Sequence, residues 1–190
     1  MALPERSQTF DIAAYLDWEA TQPDRHEYIA GETFAMTGAR SSHNTIAGNL
    51  FVILKTALRG SPCRTHIEGV KVRIETADAV VYPDVFVTCA PHDLGPDAER
   101  FKTAPALVAE VLSESTAAYD RGFKFDLYQR LASLQEYLLI EQDRRHVDLF
   151  RKNEQGLWVL HPAGPGETVT LQSVRVAFSV DSLYEDVDGV

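Results

Sequence analysis

The chain has 190 residues, 45% hydrophobic and 24% charged, which fits one globular domain over residues 1–190 and excludes a disordered or collagen-like chain. Its formal net charge of −10 opposes indiscriminate binding to polyanions. No apolar run reaches the roughly 18 residues of a membrane span. The opening MALPERSQTF lacks a basic start followed by an apolar stretch, so no membrane partner and no secretory leader are expected.

FDIAAYLDWEA, from Phe10, reads as a first helix. HEYIAGETFAM reads as a hairpin turning at Ala30-Gly31. Ser41 or Ser42 is predicted to cap a helix over HNTIAGNLFVILKTALRG, ended by Gly60, in which Ile46, Leu50, Ile53, Leu54 and Ala57 share one face. Three strand-like runs follow, GVKVRIE, VYPDVFVTC and ALVAEVLS, the last two joined by the polar loop PHDLGPDAERFKTAP. AAYDRGFKFDLYQRLA reads as an amphipathic helix laying Phe123, Leu127 and Leu131 on the sheet. LQEYLLIEQ, RHVDLFRK and LWVLHPAG finish as strands, followed by added carboxyl-terminal strands and a short turn or helix. This order predicts a mixed β-sheet flanked by helices, α/β or α+β. Cys63 and Cys89 stand far apart without a CxxC and read as reduced thiols of a cytoplasmic protein.

Two carboxylates interrupt the apolar runs. Glu110 lies inside ALVAEVLS, where an unpaired charge is costly, and Asp84 opens VFVTC. An Asp after Pro often only starts a strand, and a Glu in an apolar strand can simply pair with Arg or Lys. If the two strands are neighbours, however, the carboxylates lie side by side and call for a cation. Mg²⁺, which takes one or two carboxylates and shares its sphere with water and phosphate, suits such a pair. On the following helix Asp120, Lys124 and Tyr128 share a face at i, i+4 and i+8, so Lys124 can point toward the carboxylates. Its removal is expected to leave folding nearly unchanged. His43 and Tyr119 are candidates to line the approach to such a site, though they read first as a surface histidine and a packed tyrosine.

YPDVFV, LVAEVLSEST and YDRGFKFDLYQRLASLQEYLLI, with HEYIAGETFAM and SSHNTIAGNL before them, resemble the Uma-two family of restriction-endonuclease-like proteins, in the PD-(D/E)XK superfamily. The resemblance runs from about Phe10 to about Phe150. It implies a restriction-endonuclease-like core, a metal-dependent endonuclease activity on nucleic acid, DNA being the expected form, and a homodimer in many relatives. It also implies a site with Asp84 and Glu110 as metal ligands, Glu27 completing the metal shell and Lys124 as the catalytic lysine, served by Mg²⁺ or, as a substitute, Mn²⁺. The usual lysine two residues after the glutamate is replaced by Leu112, so Lys124 has to reach the same point from the next helix.

The acidic balance argues the other way, since nucleic-acid binders usually carry a basic footprint. Arg40, Lys55, Arg59, Lys71, Arg73, Arg121, Lys124 and Arg130 supply the charge for a local one. The competing readings are a non-catalytic nucleic-acid-binding or interaction module that retains the fold, and a metal-dependent hydrolase of a smaller phosphate substrate.

Overall fold

The computed structural model describes residues 11–36, 38 and 40–190. Phe10, offered as the start of the first helix, and the stretch read for a leader lie outside the described residues. The elements run α1 (Ile12–Glu19), β1 (His26–Ile29), β2 (Glu32–Ala35), α2 (Ser41–Ala57), β3 (Arg64–Ile67), β4 (Val72–Ile74), β5 (Ala79–Val81), β6 (Val85–Thr88) and β7 (Pro105–Leu112). After these come α3 (Ala117–Tyr119), a π turn (Asp120–Lys124), α4 (Phe125–Tyr128), β8 (Glu136–Glu141), β9 (Val147–Lys152), β10 (Trp158–Ala163), β11 (Thr168–Leu171), β12 (Val176–Ser179) and α5 (Val180–Leu183).

The central sheet is six-stranded and mixed, in the order β10-β9-β8-β7-β6-β3. Its β7–β8 pair is parallel and its other pairs are antiparallel. A parallel neighbour needs a crossover, and the helical segment from α3 to α4 supplies it. A second sheet, β2-β1-β5-β4, and the hairpin β11-β12 complete the β-structure. The fold is thus the expected mixed α/β arrangement, with an amino-terminal helix and hairpin and added carboxyl-terminal strands. No helix of the described residues is long and apolar enough to cross a membrane.

Strand alternation sorts the core into two layers. Val85, Val87, Leu107, Ala109 and Val111 face α2, whose Ile46, Ala47, Leu50 and Leu54 cover them together with the β11-β12 hairpin and α5. Phe86, Val108 and Leu112 face the other way, toward Phe125, Leu127 and Tyr128 of α4 and Val72, Ile74, Ala79 and Val81 of the smaller sheet. Glu110, between Val108 and Leu112 in this alternation, therefore looks toward α4. The β1-β2 hairpin turns on Ala30 and Gly31 with φ of 48° and 92°, the two positive values a tight type I′ turn requires.

Several expectations need correction. Ser41 and Ser42 do not cap α2: both lie inside it, and Arg40 occupies the cap with no side-chain cap bond. The run VYPDVFVTC is two strands, because the chain leaves the smaller sheet after β5 and enters the central sheet at β6. Strand β3 was absent from the expected set, since Arg64, Thr65, His66 and Ile67 form a partly exposed edge without apolar alternation.

Phe123 does not pack on the sheet; it is 46% exposed and stacks on Tyr119 at 5.6 Å between centroids. The buried face of this helical segment is instead Asp120, Lys124, Phe125, Leu127 and Tyr128. Cys63 and Cys89 are not reduced thiols but a disulfide. They flank the pairing of Arg64 with Thr88, so the antiparallel register of β3 and β6 sets them opposite each other.

Candidate active site

Asp84 and Glu110 are cross-strand neighbours. The register pairs Val85 with Ala109, which places Asp84 opposite Glu110 one step further along the two strands. Each side chain then takes a backbone amide of the other strand. Asp84 N–H donates to Glu110 Oε2 at 3.2 Å, and Val111 N–H donates to Asp84 Oδ2 at 2.7 Å. These crossed bonds tie each carboxyl group to the neighbouring strand, with Glu110 meeting Lys124 from the α4 side and Asp84 Oδ2 meeting His43 from α2.

The helical segment closes over them. A π turn is rare and inserts a wide turn into a helix, frequently at functional sites. Here it carries Asp120 and Lys124 inward. Lys124 Nζ stands 2.9 Å from Glu110 Oε1, 3.2 Å from Glu27 Oε1 and 3.9 Å from Asp120 Oδ1. The lysine is only 6% exposed, so it is not a solvent-facing partner of Asp120. Among the described residues it is the lysine or arginine that forms ion pairs with these carboxylates. Tyr128 Oη donates to Glu110 Oε1 at 2.7 Å. Glu110 is thus tolerated in the core through an ammonium, a phenol and an amide of the chain itself.

Glu27 comes from β1, in the smaller sheet. Its Oε1 accepts the Tyr82 amide at 3.3 Å besides facing Lys124, and its Oε2 accepts from Tyr119 Oη at 3.2 Å. From the other side of the sheet, at the start of α2, His43 Nε2 reaches Asp84 Oδ2 at 3.0 Å, and His43 Nδ1 is buried with no hydrogen-bond partner.

The charges follow from this packing. Burial pushes the Glu110 carboxyl well above its ordinary range; Lys124 opposes the shift, and the charges of Asp84 and Asp120 add to it. Burial also pushes Asp84 upward, but the hydrogen bond and charge of His43, then Lys124, outweigh it and hold Asp84 low. Asp120 rises to about 6, chiefly by burial. Burial by itself would lower Lys124, yet Glu110 and Glu27 hold its ammonium protonated well above the usual range. His43 is raised because Asp84 outweighs its burial.

Glu27, Asp84, Glu110 and Asp120 therefore share one lysine and one histidine, and the site carries an excess of negative charge. Among the described residues no three His, Cys, Asp or Glu side chains form a ready-made metal cage. The donor set nevertheless fits Mg²⁺, which takes one or two carboxylate oxygens and completes its sphere with water and substrate.

The structure thus brings together all four residues singled out in the sequence, Glu27, Asp84, Glu110 and Lys124. It adds His43, Tyr119 and Tyr128. Tyr128 was legible from its place on the Asp120–Lys124 face. His43 and Tyr119 stood in the sequence only as candidates to line the approach, because tertiary packing is what carries α2 to Asp84. The sequence predicts that removing Lys124 leaves folding nearly unchanged, whereas its burial 2.9 Å from Glu110 predicts a cost in stability. Of the other basic residues, Arg121 is taken by Asp148 and Glu141, and Arg73 faces Glu75.

A family model described as "Uma2: Putative restriction endonuclease" matches residues 12–182. The chain belongs to this Uma2 family. It is 38% identical over 170 residues to the uncharacterized protein slr1290 of Synechocystis sp., covering 90% of this chain and 88% of that one. A second uncharacterized Synechocystis protein, sll1609, is 32% identical over 160 residues, covering 84% and 90%. In fold the chain is similar to the crystal structure of a DUF820 protein from Anabaena variabilis described as a putative nuclease. The TM-score is 0.71 at 18% identity, covering 90% of this chain and 97% of that one. Membership of the Uma2 family supports the reading of the chain as a nuclease.

Proposed function

We propose that the chain is one restriction-endonuclease-like domain that hydrolyses phosphodiester bonds of nucleic acid, DNA above all, in a metal-dependent reaction. The observation that carries this reading is the crossed pair of Asp84 and Glu110 with the Lys124 ammonium 2.9 Å from Glu110. Asp84 and Glu110 would hold the metal, Mg²⁺ with Mn²⁺ as substitute, and Glu27 would complete its shell. Such an ion would supply Lewis acidity at the scissile phosphate.

The chain's own groups do the rest. His43 fixes Asp84 through Oδ2, and Tyr128 fixes Glu110 through Oε1. Glu27 and Glu110 hold the Lys124 ammonium, whose fixed positive charge offsets negative charge developing on the phosphate oxygens. One water is consumed and one P–O bond breaks, leaving a phosphomonoester and an alcohol. A homodimer belongs to the same proposal, while the Cys63–Cys89 disulfide removes the reduced-thiol ground for a cytoplasmic setting. The exposed Leu157, Val159 and Leu160, in and beside edge strand β10, support self-association.

A second reading, a nucleic-acid-binding module that keeps the fold without turnover, is favoured by one observation: Lys124 already pairs with both Glu27 and Glu110. Incubation of plasmid DNA with Mg²⁺ or Mn²⁺ separates the two. Cutting that stops with a chelator and with Asp84→Ala is expected of the nuclease. Binding without cutting supports the module, and cutting that survives both treatments contradicts the site.

A further inference from the structure

Between α1 and the chain around Gly69 lies a cleft of about 240 Å³ that none of the chemistry above uses, with Lys71, Glu99 and Arg100 on its walls beside Leu16 and Gly69. Lys71 is the informative residue. Its ammonium lies over the Tyr82 ring, 5.2 Å from the centroid, and no carboxylate among the described residues forms an ion pair with it. Burial lowers its pKa; the field of the buried Glu19 opposes this, and the charges of Arg100 and Arg25 add to it.

The other charges around the cleft are accounted for. Arg100 is held by Asp17 at 2.6 Å, and Arg25 stands 4.0 Å from Glu68. Glu19 is engaged by Tyr82 Oη and by His26. Glu99 is exposed. Arg25 lies directly over Gly69, whose φ is +71°; a Cβ there would sit 2.9 Å from the guanidinium, so glycine lets the cation close on the cleft wall. Two of the three cations at the cleft are thus held by carboxylates, and Lys71, the most buried, forms no ion pair among the described residues.

Tyr82 ties this cleft to the active site. Its ring carries Lys71, its amide donates to Glu27, and Asp84 follows two residues later, at most about 7 Å along the chain. A strand of duplex nucleic acid presents a phosphate about every 3.4 Å of helix axis, so a strand with one phosphate near Asp84 carries several others along its length for a cation on the Tyr82 ring to meet.

We propose that the cleft walled by Lys71 and Arg100 binds a phosphate of the nucleic-acid strand, further along it from the one held at Asp84 and Glu110. The assignment rests on the nuclease reading for its substrate and is tested apart from cleavage. Anisotropy of a labelled DNA duplex is measured in EDTA over a salt series, for the full chain, Lys71→Gln and Arg100→Gln. Inorganic phosphate is titrated in parallel against the same proteins. The parent binds both ligands. Lys71→Gln is expected to weaken the duplex about tenfold and to reduce the salt slope by about one. Arg100→Gln, whose side chain is exposed, keeps the test valid should the first variant fold poorly, and is expected to weaken binding in the same sense.

Lys71-dependent binding with no cutting in Mg²⁺ sinks the nuclease reading and leaves this site standing. Duplex affinity unchanged in folded variants of both residues overturns the site. Phosphate binding without duplex binding overturns the strand assignment in favour of a free phosphate.

Discussion

Lys124 and Glu110 form a buried ion pair, 2.9 Å between Nζ and Oε1, across the gap between the π turn and β7. Removing one partner of such a pair leaves an uncompensated charge in the core, which typically costs about 3–5 kcal/mol. Lys124→Ala is therefore expected to lose about this much stability in urea denaturation at pH 7, and to cut DNA about 10²–10³-fold more slowly where it is still folded. Parental stability together with parental cutting contradicts the role given to this lysine.

Asp120, raised to about 6 by burial, makes stability depend on pH. Between its unfolded pKa of about 3.9 and the folded value, the native chain keeps a proton that the unfolded chain releases. This contribution is complete below the unfolded value and is lost as pH rises through about 6, a change of about 3 kcal/mol. Asp120→Asn should flatten that part of the profile. A variant whose stability falls with pH as steeply as the parent's shows that Asp120 does not titrate in this range.

His43 orients Asp84, holding Oδ2 at 3.0 Å. Outer partners of metal-binding carboxylates are worth about 10–100-fold in metal affinity. His43→Ala is expected to weaken Mn²⁺ binding by that factor in calorimetry while the circular dichroism stays parental. Unchanged affinity separates His43 from the site.

The Cys63–Cys89 bond closes a loop with a sequence separation of 26 residues. Chain-entropy arguments give about 3–4 kcal/mol for a loop of this size. Thermal denaturation with and without a reductant should therefore show a lower midpoint in the reduced protein, matched by Cys63→Ser with Cys89→Ser. Equal midpoints contradict a stabilising bond.

What the sequence made legible, and what it hid, has physical causes. The β6–β7 pair was readable because its apolar runs are interrupted only at Asp84 and Glu110, so the carboxylates stood out against the pattern. The face of Asp120, Lys124 and Tyr128 is visible as a spacing, yet an apolar stripe through Phe123, Leu127 and Leu131 competes with it as the face to bury. Here the buried face is the polar one, and sequence rules are expected to fail at such sites. The disulfide was hidden for a related reason. Without β3, a strand that shows no alternation, nothing indicated that residues 63 and 89 lie opposite each other. Tyr82 and Pro83 concealed the change of sheet because the apolar residues on both sides read as one run.

The central claim is that Asp84 and Glu110 hold a divalent ion, and anomalous diffraction from crystals soaked in Mn²⁺ tests it most directly. The account predicts one strong peak at about 2 Å from a carboxylate oxygen of each residue, with Lys124 Nζ beside it. It also predicts that the peak disappears in Asp84→Ala crystals. A peak elsewhere in the protein, or none between these two carboxylates at saturating Mn²⁺, contradicts it.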